Sequence, residues 1–392
     1  MSGHAGHMRR RGKSSWQFKF EGGSIDPVTK KRRTVYHSFK GTRVEAAAEL
    51  ARLVSEVKSG ERVDRSKMTL AEFLDAWELS VATRVTPKTL ERYIDLMKSF
   101  VRPRLGACRI QDLRNVSFTD FYAKLLREGR GSAEAPKPLS ARTVGHVHRV
   151  LHSALEEAIA QRLIGHNPTR LAKRPREEQK EPEILTEHQV PELLRKLKDH
   201  PLYPIVSFAL ASGMRRGELL ALRWKDLDLD AARAKVEHSI EETRNGLRVK
   251  PPKSRAGRRS IRLPASSVLE MRAHWKWQQE LRLKLGLGKA PDDALVFAHP
   301  DGSIIAPSEL TDTWRRLTRS KSLGLPKVTF HALRHTHVSQ LIAAGLDVVT
   351  ISKRIGHSSP ALTLRVYAHR FSNTDDRAAQ VIEAAMQRVL TE

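Results

Sequence analysis

Cysteine is almost absent from this sequence, which has one, Cys108, in 392 residues. A single cysteine excludes an internal disulfide and any metal site built from several cysteines. Long apolar runs are also missing, since none approaches the roughly 20 residues that a membrane-spanning helix needs. The first residues, MSGHAGHMRRRGKSS, include arginines but no hydrophobic stretch of the kind found in signal peptides. We therefore expect a cytoplasmic protein without a membrane partner.

Acidic residues are few relative to basic ones, with 44 Asp and Glu against 70 Lys and Arg. The resulting net charge of +26 predicts a polyanionic partner. Nucleic acid is the first candidate, because a basic surface gains by releasing counterions from phosphates. A membrane surface is the second candidate by charge alone, but the missing apolar segments count against it. The 17 histidines are scattered without the paired spacing of a zinc site. No metal and no cofactor is therefore expected.

Residues 1–62 are predicted to form a small basic domain with a sheet and one helix. Trp16, Phe18 and Phe20 alternate with polar residues, as in a strand. The first 60 residues contain thirteen Lys and Arg against five Asp and Glu, and many of them lie around the predicted hairpin. We expect the sheet to bind DNA, the alternative being a solvated charged surface. The predicted contacts are Trp16, Lys31, Arg32 and Arg33.

Residues 66–176 are predicted to form a helical domain. Thr69 and Glu72 make a capping box, and a long helix begins near Ser140. The basic residues on the outer faces of these helices fit a DNA clamp and a solvated bundle equally well. The segment AKRPREEQKEPE that follows has the composition of a linker.

Residues 183–392 are predicted to form an α+β domain. A turn at Ser212 and Gly213 precedes Arg215, and a helix then continues from Glu218 to Trp224. We predict a strand over residues 235–240, a hairpin turn at Asn245 and Gly246, and a return strand over residues 247–250.

A second turn in this domain, PPKSRAGRRSIRLP, places Lys253 at its tip. Lys250 and Arg255 lie close to it in sequence, and the three are rivals for any function of this turn. A lysine on a hairpin is usually only solvated, so its significance depends on the other residues of the domain.

The stretch from Thr329 to His369 contains the densest group of chemically active residues. It is predicted to form three short helices joined by glycine turns, with Thr329, Asp347 and Ser359 as N-caps. On the first helix, His331 and Arg334 extend the apolar stripe of Val338, so both are expected to face the core. The other residues singled out in this stretch are His357, in a turn, and Tyr367, near the end of the third helix.

These residues suit phosphoryl transfer without a metal. Arginine stays charged and matches phosphate oxygens bidentately, so Arg215 and Arg334 are suited to hold a scissile phosphodiester and stabilise its transition state. A tyrosine phenol is a poor nucleophile unless a base assists it. We expect His331 to accept the proton of Tyr367 and Lys253 to donate one to the leaving 5′ oxygen.

The motifs SGMRRGE, HALRH and RIGHSSPALTLRVYAH, together with the Lys253 turn, resemble those of the tyrosine recombinases of the phage-integrase type. The resemblance implies an enzyme that cuts and rejoins DNA through a 3′-phosphotyrosyl intermediate and a Holliday junction. It implies Arg215 and Arg334 as the clamp, Lys253 as general acid, His331 and His357 as further active-site groups, Tyr367 as nucleophile and Glu218 as a supporting acid. It also implies an arm-binding module, a core-binding domain and a catalytic domain, in a protein that acts on the bacterial nucleoid.

Two sequence features differ from the common family pattern: Ser212 stands where Thr is more frequent, and the lysine turn is about a residue longer than its shortest forms. The segment 373–390 is predicted to be a helix with an apolar stripe that packs into a neighbouring protomer of a tetramer, or within its own chain. The expected partners are double-stranded attachment-site DNA and accessory DNA-bending or directionality factors. The alternatives are a chromosome-dimer resolving recombinase and a non-catalytic DNA-binding regulator of the same mobile element.

Overall fold

The computed structural model of the chain describes residues 6–25, 32–58, 66–131, 135–177, 181–320, 324–368, 371, 379–380, 382–383 and 386–387, with only the backbone of 22–25, 32–33 and 58. The chain divides into two compact units, residues 1–178 and 179–392. Both are mainly helical with small antiparallel sheets, which confirms the predicted fold class. The predicted boundaries at 1–62, 66–176 and 183–392 stay a prediction. No described helix is long and apolar enough to cross a lipid bilayer.

The first unit begins with an antiparallel sheet covered by one helix. Its elements are β1 (His7–Arg10), β2 (Ser15–Ile25), β3 (Arg32–Lys40) and α1 (Arg43–Lys58). Strand β2 pairs with both β1 and β3. Phe18 and Phe20 are buried against Ala46 and Leu53 of α1, as the alternating pattern predicts. Their neighbours in the strand therefore lie on the open face of the sheet.

The same unit continues as a helical bundle with a core of its own. Its helices are α2 (Leu70–Ala82), α3 (Pro87–Leu96), α4 (Arg102–Leu105), α5 (Asn115–Arg127) and α6 (Ala141–Ala160). The capping box of Thr69 and Glu72 is present, and Ser140 caps α6 by accepting from the backbone of Thr143. Trp77 and Phe118 are among the largest fully buried side chains. The predicted helix starts are thus confirmed where a side-chain cap marks them.

The second unit starts with α7 (Gln189–Leu197), α8 (Tyr203–Ser212) and α9 (Arg216–Leu220). Helix α9 is shorter than predicted, because the chain leaves the helix after Leu220 and Trp224 lies in a separate 3-10 turn. The strands that follow are β4 (Leu227–Asp228), β5 (Arg233–Val236), β6 (Ser239–Thr243), β7 (Gly246–Lys250) and β8 (Arg259–Arg262). The prediction of one strand over 235–240 is wrong, since β5 ends at Val236 and pairs with β8 whereas β6 pairs with β7.

The remaining elements are α10 (Ala265–Lys284), α11 (Pro307–Arg319), α12 (Phe330–Ala343), α13 (Val348–Ile355) and α14 (Pro360–Tyr367). Thr329 and Asp347 cap α12 and α13 with their side chains, as predicted. Ser359 occupies the N-cap position of α14, but no side-chain cap bond is present. The predicted tail helix over 373–390 lies largely outside the described residues. Of its expected stripe, the side chain of Ile382 is 57% exposed.

Candidate active site

The residues Arg215, Arg334, His335, His357 and Tyr367 lie together in the second unit and are called the pocket here. A buried carboxylate anchors the first of its two arginines. Glu218 is 2% exposed. It accepts hydrogen bonds from Arg215 Nη1 at 2.7 Å and from Arg259 Nη2 at 2.9 Å. Burial alone would raise the pKa of Glu218, but the charges and hydrogen bonds of Arg259 and Arg215 outweigh it and hold the pKa below its ordinary value of 4.5. The anion therefore fixes the position of Arg215, whose side chain is still 40% exposed.

The second arginine, Arg334, is 5% exposed and faces the core as predicted. It donates from Nη1 to the carbonyl of Gly213 at 2.7 Å and from Nη2 to the carbonyl of Ile355 at 2.6 Å. Burial, followed by the charge of Arg215, lowers the pKa of Arg334 to about 9. The group is still cationic at pH 7, and its partners within the protein are neutral carbonyls. Its charge is thus available for an anion that enters the pocket.

Two glycines in left-handed conformations bring distant segments to these arginines. Gly213 has φ +64° and ends α8, and Gly356 has φ +69° and ends α13. The carbonyl of Gly356 accepts from Arg215 Nη2 at 2.9 Å. A Cβ at Gly213 would lie 2.5 Å from the ring of His337, and one at Gly356 would lie 2.9 Å from the backbone oxygen of Ala256. Both positions therefore require glycine for conformation and for space.

Tyr367 ends α14 and is 2% exposed. Its hydroxyl lies 2.5 Å from Nδ1 of His335, and the two rings are 5.7 Å apart. Burial, followed by the charge of Arg334, lowers the pKa of His335. The imidazole is thus neutral at pH 7, and one of its nitrogens is an acceptor. His335 was not among the predicted site residues, although it lies four positions after His331 on the same helix face.

His331 is exposed, so the prediction that it faces the core is wrong. It lies in the first turn of α12, where the buried side chains are those of its neighbours Phe330, Ala332 and Leu333. Its ring meets that of His335 edge to face at 4.7 Å. The structure brings His335 rather than His331 to the Tyr367 hydroxyl. The side chain reaches solvent, but the protein around the ring still removes part of its hydration. This desolvation, followed by the charges of His335 and Arg334, lowers the pKa of His331 to about 4.

His357 follows Gly356 in the turn before α14, as predicted. Its Nδ1 lies 2.9 Å from the hydroxyl of Thr363, a fully buried residue of α14. Burial, followed by the charges of Arg334 and Arg215, lowers the pKa of His357 to about 4. The pocket therefore combines neutral imidazoles with charged guanidinium groups.

Lys253 is exposed and lies in the loop from β7 to β8, which connects two sheets and is not the tip of one hairpin. Among the described residues it has no ion pair or hydrogen bond. Lys250 forms an ion pair with Glu241, and Arg255 begins a 3-10 turn. Of the two lysines, the unpaired Lys253 is the one whose ammonium is available to a ligand.

Arg259 is a site residue that the motifs did not point out. Its side chain is 6% exposed, and it donates to Glu218, to the carbonyl of Arg354 at 2.7 Å and to that of Gly257 at 2.9 Å. It thus ties the Lys253 loop to the carboxylate and to the end of α13. A signal was present in the sequence, because Arg259 stands two and four positions before the buried Ile261 and Leu263 and therefore lies on the same side of an extended chain.

The residues predicted to touch DNA in the first unit are placed differently. Trp16 lies on the covered face of the sheet with Phe18, and its Nε1 donates to the carbonyl of Gly41 at 3.0 Å. Lys31 lies outside the described residues, and only the backbone of Arg32 and Arg33 is described, at the start of β3. On the open face, the aromatic side chain of Tyr36 is 62% exposed, and Tyr36 pairs directly with Lys19.

Two family models match the chain. The model described as phage integrase family matches residues 183–374, and the one described as phage integrase, N-terminal SAM-like domain matches residues 69–126. Among curated proteins, the chain is 24% identical to a "Tyrosine recombinase XerC-like" of Caldanaerobacter subterraneus, over 87% of this chain and 89% of that protein. It is 25% identical to the ICEBs1 integrase of Bacillus subtilis, over 92% of this chain and 94% of that one.

Solved structures agree with these matches. The Tn1549 transposon integrase in complex with transposon right end DNA superposes with a TM-score of 0.66 and 25% identity, over 81% of this chain and 99% of that one. A lambda integrase dimer bound to a core site, at 19% identity and a TM-score of 0.56, shares the fold. The matched segments include Arg215, Arg334 and Tyr367 in one unit with the geometry described above. The chain belongs to the phage integrase family of tyrosine recombinases.

Proposed function

We propose that Tyr367 is the nucleophile with which this chain, a site-specific DNA recombinase, cuts and rejoins a DNA strand. The observation that carries the proposal is the position of its hydroxyl, which is buried and held by His335 on the same helix as the buried Arg334. A phenol in this position has both requirements of a phosphoryl-transfer nucleophile, a proton acceptor and a cationic site for the phosphate.

In this mechanism the scissile phosphate binds between Arg215 and Arg334. Their guanidinium groups are held by Glu218 and by backbone carbonyls, so little reorganisation is needed when negative charge develops on the phosphate oxygens. Tyr367 attacks phosphorus, and the strand is held as a 3′-phosphotyrosine. Lys253 protonates the leaving 5′ oxygen. Exposed on its loop, Lys253 approaches the phosphate when DNA is bound.

His331 and His357 are proposed as further contacts to the phosphate. Both imidazoles are neutral at pH 7, so each offers an N–H donor without adding a charge. His331 is exposed beside the pocket, whereas His357 is anchored by Thr363. The two histidines therefore complement the charged arginines with directional hydrogen bonds.

The proposed substrates are double-stranded attachment sites of a mobile element, which the enzyme integrates and excises through a Holliday junction. Relatives named ICEBs1 integrase, of Bacillus subtilis, and integrase, of Mycobacterium phage L5, support this role. A lambda integrase bound as a tetramer to a Holliday junction shares the fold, and a homotetramer of this chain on DNA is part of the proposal. Accessory DNA-bending or directionality factors, and action at the bacterial nucleoid, belong to the same proposal.

The direct test uses a nicked duplex with the chain's own attachment site, identified in the DNA that flanks its coding sequence. Wild-type protein should form a covalent protein–DNA product that survives SDS and forms equally well in EDTA. Tyr367→Phe should form none, whereas the control Tyr93→Phe, on α3 of the helical bundle, should form as much as wild type. A product that persists in Tyr367→Phe, or that EDTA abolishes, contradicts the mechanism. Specific binding with no covalent product at all would instead favour a non-catalytic DNA-binding regulator.

A further inference from the structure

The buried phenol of Tyr367 cannot pass its proton directly to bulk water, because the residue is 2% exposed. Among the described residues, a group able to take that proton is Nδ1 of His335, 2.5 Å from the hydroxyl. When the hydroxyl is the donor, Nδ1 is the unprotonated nitrogen and Nε2 carries the hydrogen, an assignment made from this hydrogen bond. The structure thus pairs a nucleophile with an acceptor before any substrate is bound.

We propose that His335 is a catalytic residue that accepts the phenolic proton of Tyr367 during strand cleavage, the role that sequence reasoning gave to His331. The proposal rests on the proposed function of Tyr367 as nucleophile. It leaves His331 free to contact the phosphate from its exposed position.

The step balances as follows. Tyr367 Oη forms a bond to phosphorus while its proton moves to His335 Nδ1, and the bond from phosphorus to the 5′ oxygen breaks. The departing 5′ oxygen takes a proton from Lys253. In the rejoining step a 5′ hydroxyl attacks the phosphotyrosine, gives its proton to Lys253, and the protonated His335 returns its proton to Tyr367 Oη. No oxidant, metal or further reactant is consumed.

The surroundings of His335 keep it able to accept a proton at pH 7. In the described part of the chain, the groups that face it are Arg334 and His331 on α12, His357 in the turn before α14, and Tyr367 on α14. Burial and the charge of Arg334 lower its pKa, and the two neighbouring imidazoles are themselves neutral at pH 7. Protonation of His335 in acid should therefore stop cleavage, on the acid side of the ordinary value of 6.5.

The test compares His335→Asn with His331→Asn, two substitutions four positions apart on α12. Asparagine places a polar atom near the position of Nδ1 and can hold the hydroxyl, but it is not a base. On the nicked duplex at pH 7.5, His335→Asn should lower the single-turnover cleavage rate by roughly 10²–10⁴-fold, the range of general base catalysis. DNA affinity and thermal unfolding, measured on the same samples, should stay close to wild type. If the Asn variant fails to fold, His335→Gln takes its place.

In the deciding experiment, Tyr367 is replaced with a fluorinated tyrosine and the cleavage rate is measured. The lower phenol pKa of this residue reduces the need for a base. The fluorinated nucleophile should raise the rate of His335→Asn by about tenfold or more, a fraction of the lost general base effect. It should not raise the rate of wild type or of His331→Asn in this way. Equal responses of the two Asn variants, or a His335→Asn rate equal to that of wild type, would overturn the proposal.

A second substrate distinguishes the residue that accepts the proton of Tyr367 from the residue that donates a proton to the leaving 5′ oxygen. A duplex with sulfur in place of the leaving 5′ oxygen needs no general acid, so it should restore cleavage by Lys253→Ala but not by His335→Asn. Rescue of His335→Asn by the sulfur substrate would assign His335 to the leaving group and overturn the proposal. If wild type formed no covalent product, the function of Tyr367 and this proposal would fail together. If wild type reacts and only the His335 predictions fail, the function of Tyr367 stands.

Discussion

The pocket of the second unit and the open sheet of the first unit both carry positive charge, but they hold it in opposite ways. In the pocket, Arg334 is 5% exposed, and its partner Gly213 lies more than a hundred residues away in sequence. On the sheet, Lys19 is exposed, and Arg11 bonds to the nearby Gln17. Tertiary contacts therefore hold the arginine side chains of the pocket in one orientation. The basic residues of the sheet contribute positive charge without such a fixed orientation. A single substitution should be severe in the pocket and graded on the sheet.

The largest effect should come from Arg334→Lys. One ammonium cannot donate to the carbonyls of Gly213 and Ile355 and also grip a phosphate bidentately. Cleavage of the nicked duplex should fall by about 10²–10³-fold or more, and the free energy of unfolding by roughly 1–3 kcal/mol for each carbonyl left without a donor. Suicide-substrate cleavage and urea unfolding measure the two effects.

Arg215→Lys is the matched control for this substitution, because the side chain of Arg215 is 40% exposed and a lysine can still pair with Glu218. It should reduce cleavage but lower the free energy of unfolding less than Arg334→Lys does. Equal losses of stability in the two variants would show that burial does not distinguish the two arginines.

Glu218→Gln should come next in size. It keeps the shape of the side chain but leaves Arg259 and Arg215 without their buried anion. Removing one partner of a buried ion pair costs about 3–5 kcal/mol, and the free energy of unfolding at pH 7 should fall by roughly that amount. Since the pKa of Glu218 is lowered by folding, this contribution is present above pH 4.5 and is lost as the pH falls below it, so the gap to wild type should narrow in acid.

The control for the buried carboxylate is Glu192→Gln, which breaks the exposed pair with Lys196. Urea unfolding should show little or no change, as for most surface pairs. A loss in Glu218→Gln as small as in Glu192→Gln would mean that the buried carboxylate is not what fixes the arginines.

How far the sequence predicted the pocket depends on whether each signal is local. The N-caps Thr329 and Asp347 and the inward position of Arg334 follow from neighbours within a few residues, and the structure confirms them. The exposure of His331 did not follow, because the first helical turn packs inward through Phe330, Ala332 and Leu333 and not through the row that leads back from Val338. The role of Arg259 depends on a strand pairing more than 20 residues apart, between β5 and β8, which a one-dimensional pattern does not give.

The same reasoning explains the errors in the strands. The predicted strand 235–240 has a continuous β pattern, but the chain changes partner between Val236 and Ser239, and partner choice is a tertiary property. Likewise Trp16 belongs to the apolar alternation of β2, so its pattern placed it correctly in a strand while its assignment to DNA ignored the face it occupies. The sequence thus predicted which residues form strands, but not which strands pair or which face a side chain occupies.

A smaller effect is expected from His337, whose burial should make the free energy of unfolding fall in acid. This residue is 5% exposed, its Nδ1 donates to the carbonyl of Leu210 at 2.7 Å, and its Nε2 accepts from Arg354 at 3.1 Å. Burial, followed by the charge of Arg354, lowers its pKa to about 4. Between pH 6.5 and 4 the His337 imidazole binds a proton in the unfolded chain but not in the folded chain. The free energy of unfolding therefore falls as the pH falls.

From pH 6.5 to 5 the contribution of His337 alone should be about 1.5 kcal/mol, from the difference in pKa between the two states. Urea unfolding of wild type and His337→Gln at both pH values measures it. The variant is expected to be less stable at pH 6.5 yet to lose less stability on acidification. An identical loss in both proteins would remove His337 from the acid response.

The smallest effects should be found on the open sheet, where Lys19 lies between His7 and Tyr36 in the register. If this face binds DNA, Lys19→Ala should reduce the slope of log affinity against log salt by about 0.9, the value for one lost phosphate contact. Tyr36→Ala should weaken binding without changing the slope, because a phenol neutralises no phosphate. The control is Arg52→Ala on α1. The charge of Arg52 is already paired with Glu49 at 2.7 Å, so this substitution should leave the slope unchanged. If Arg52→Ala lowers the slope as much as Lys19→Ala, the total charge of the protein and not the sheet face sets the affinity. If the losses are small and confined to the sheet face, the sheet differs from the pocket, where loss of a single arginine should stop the reaction.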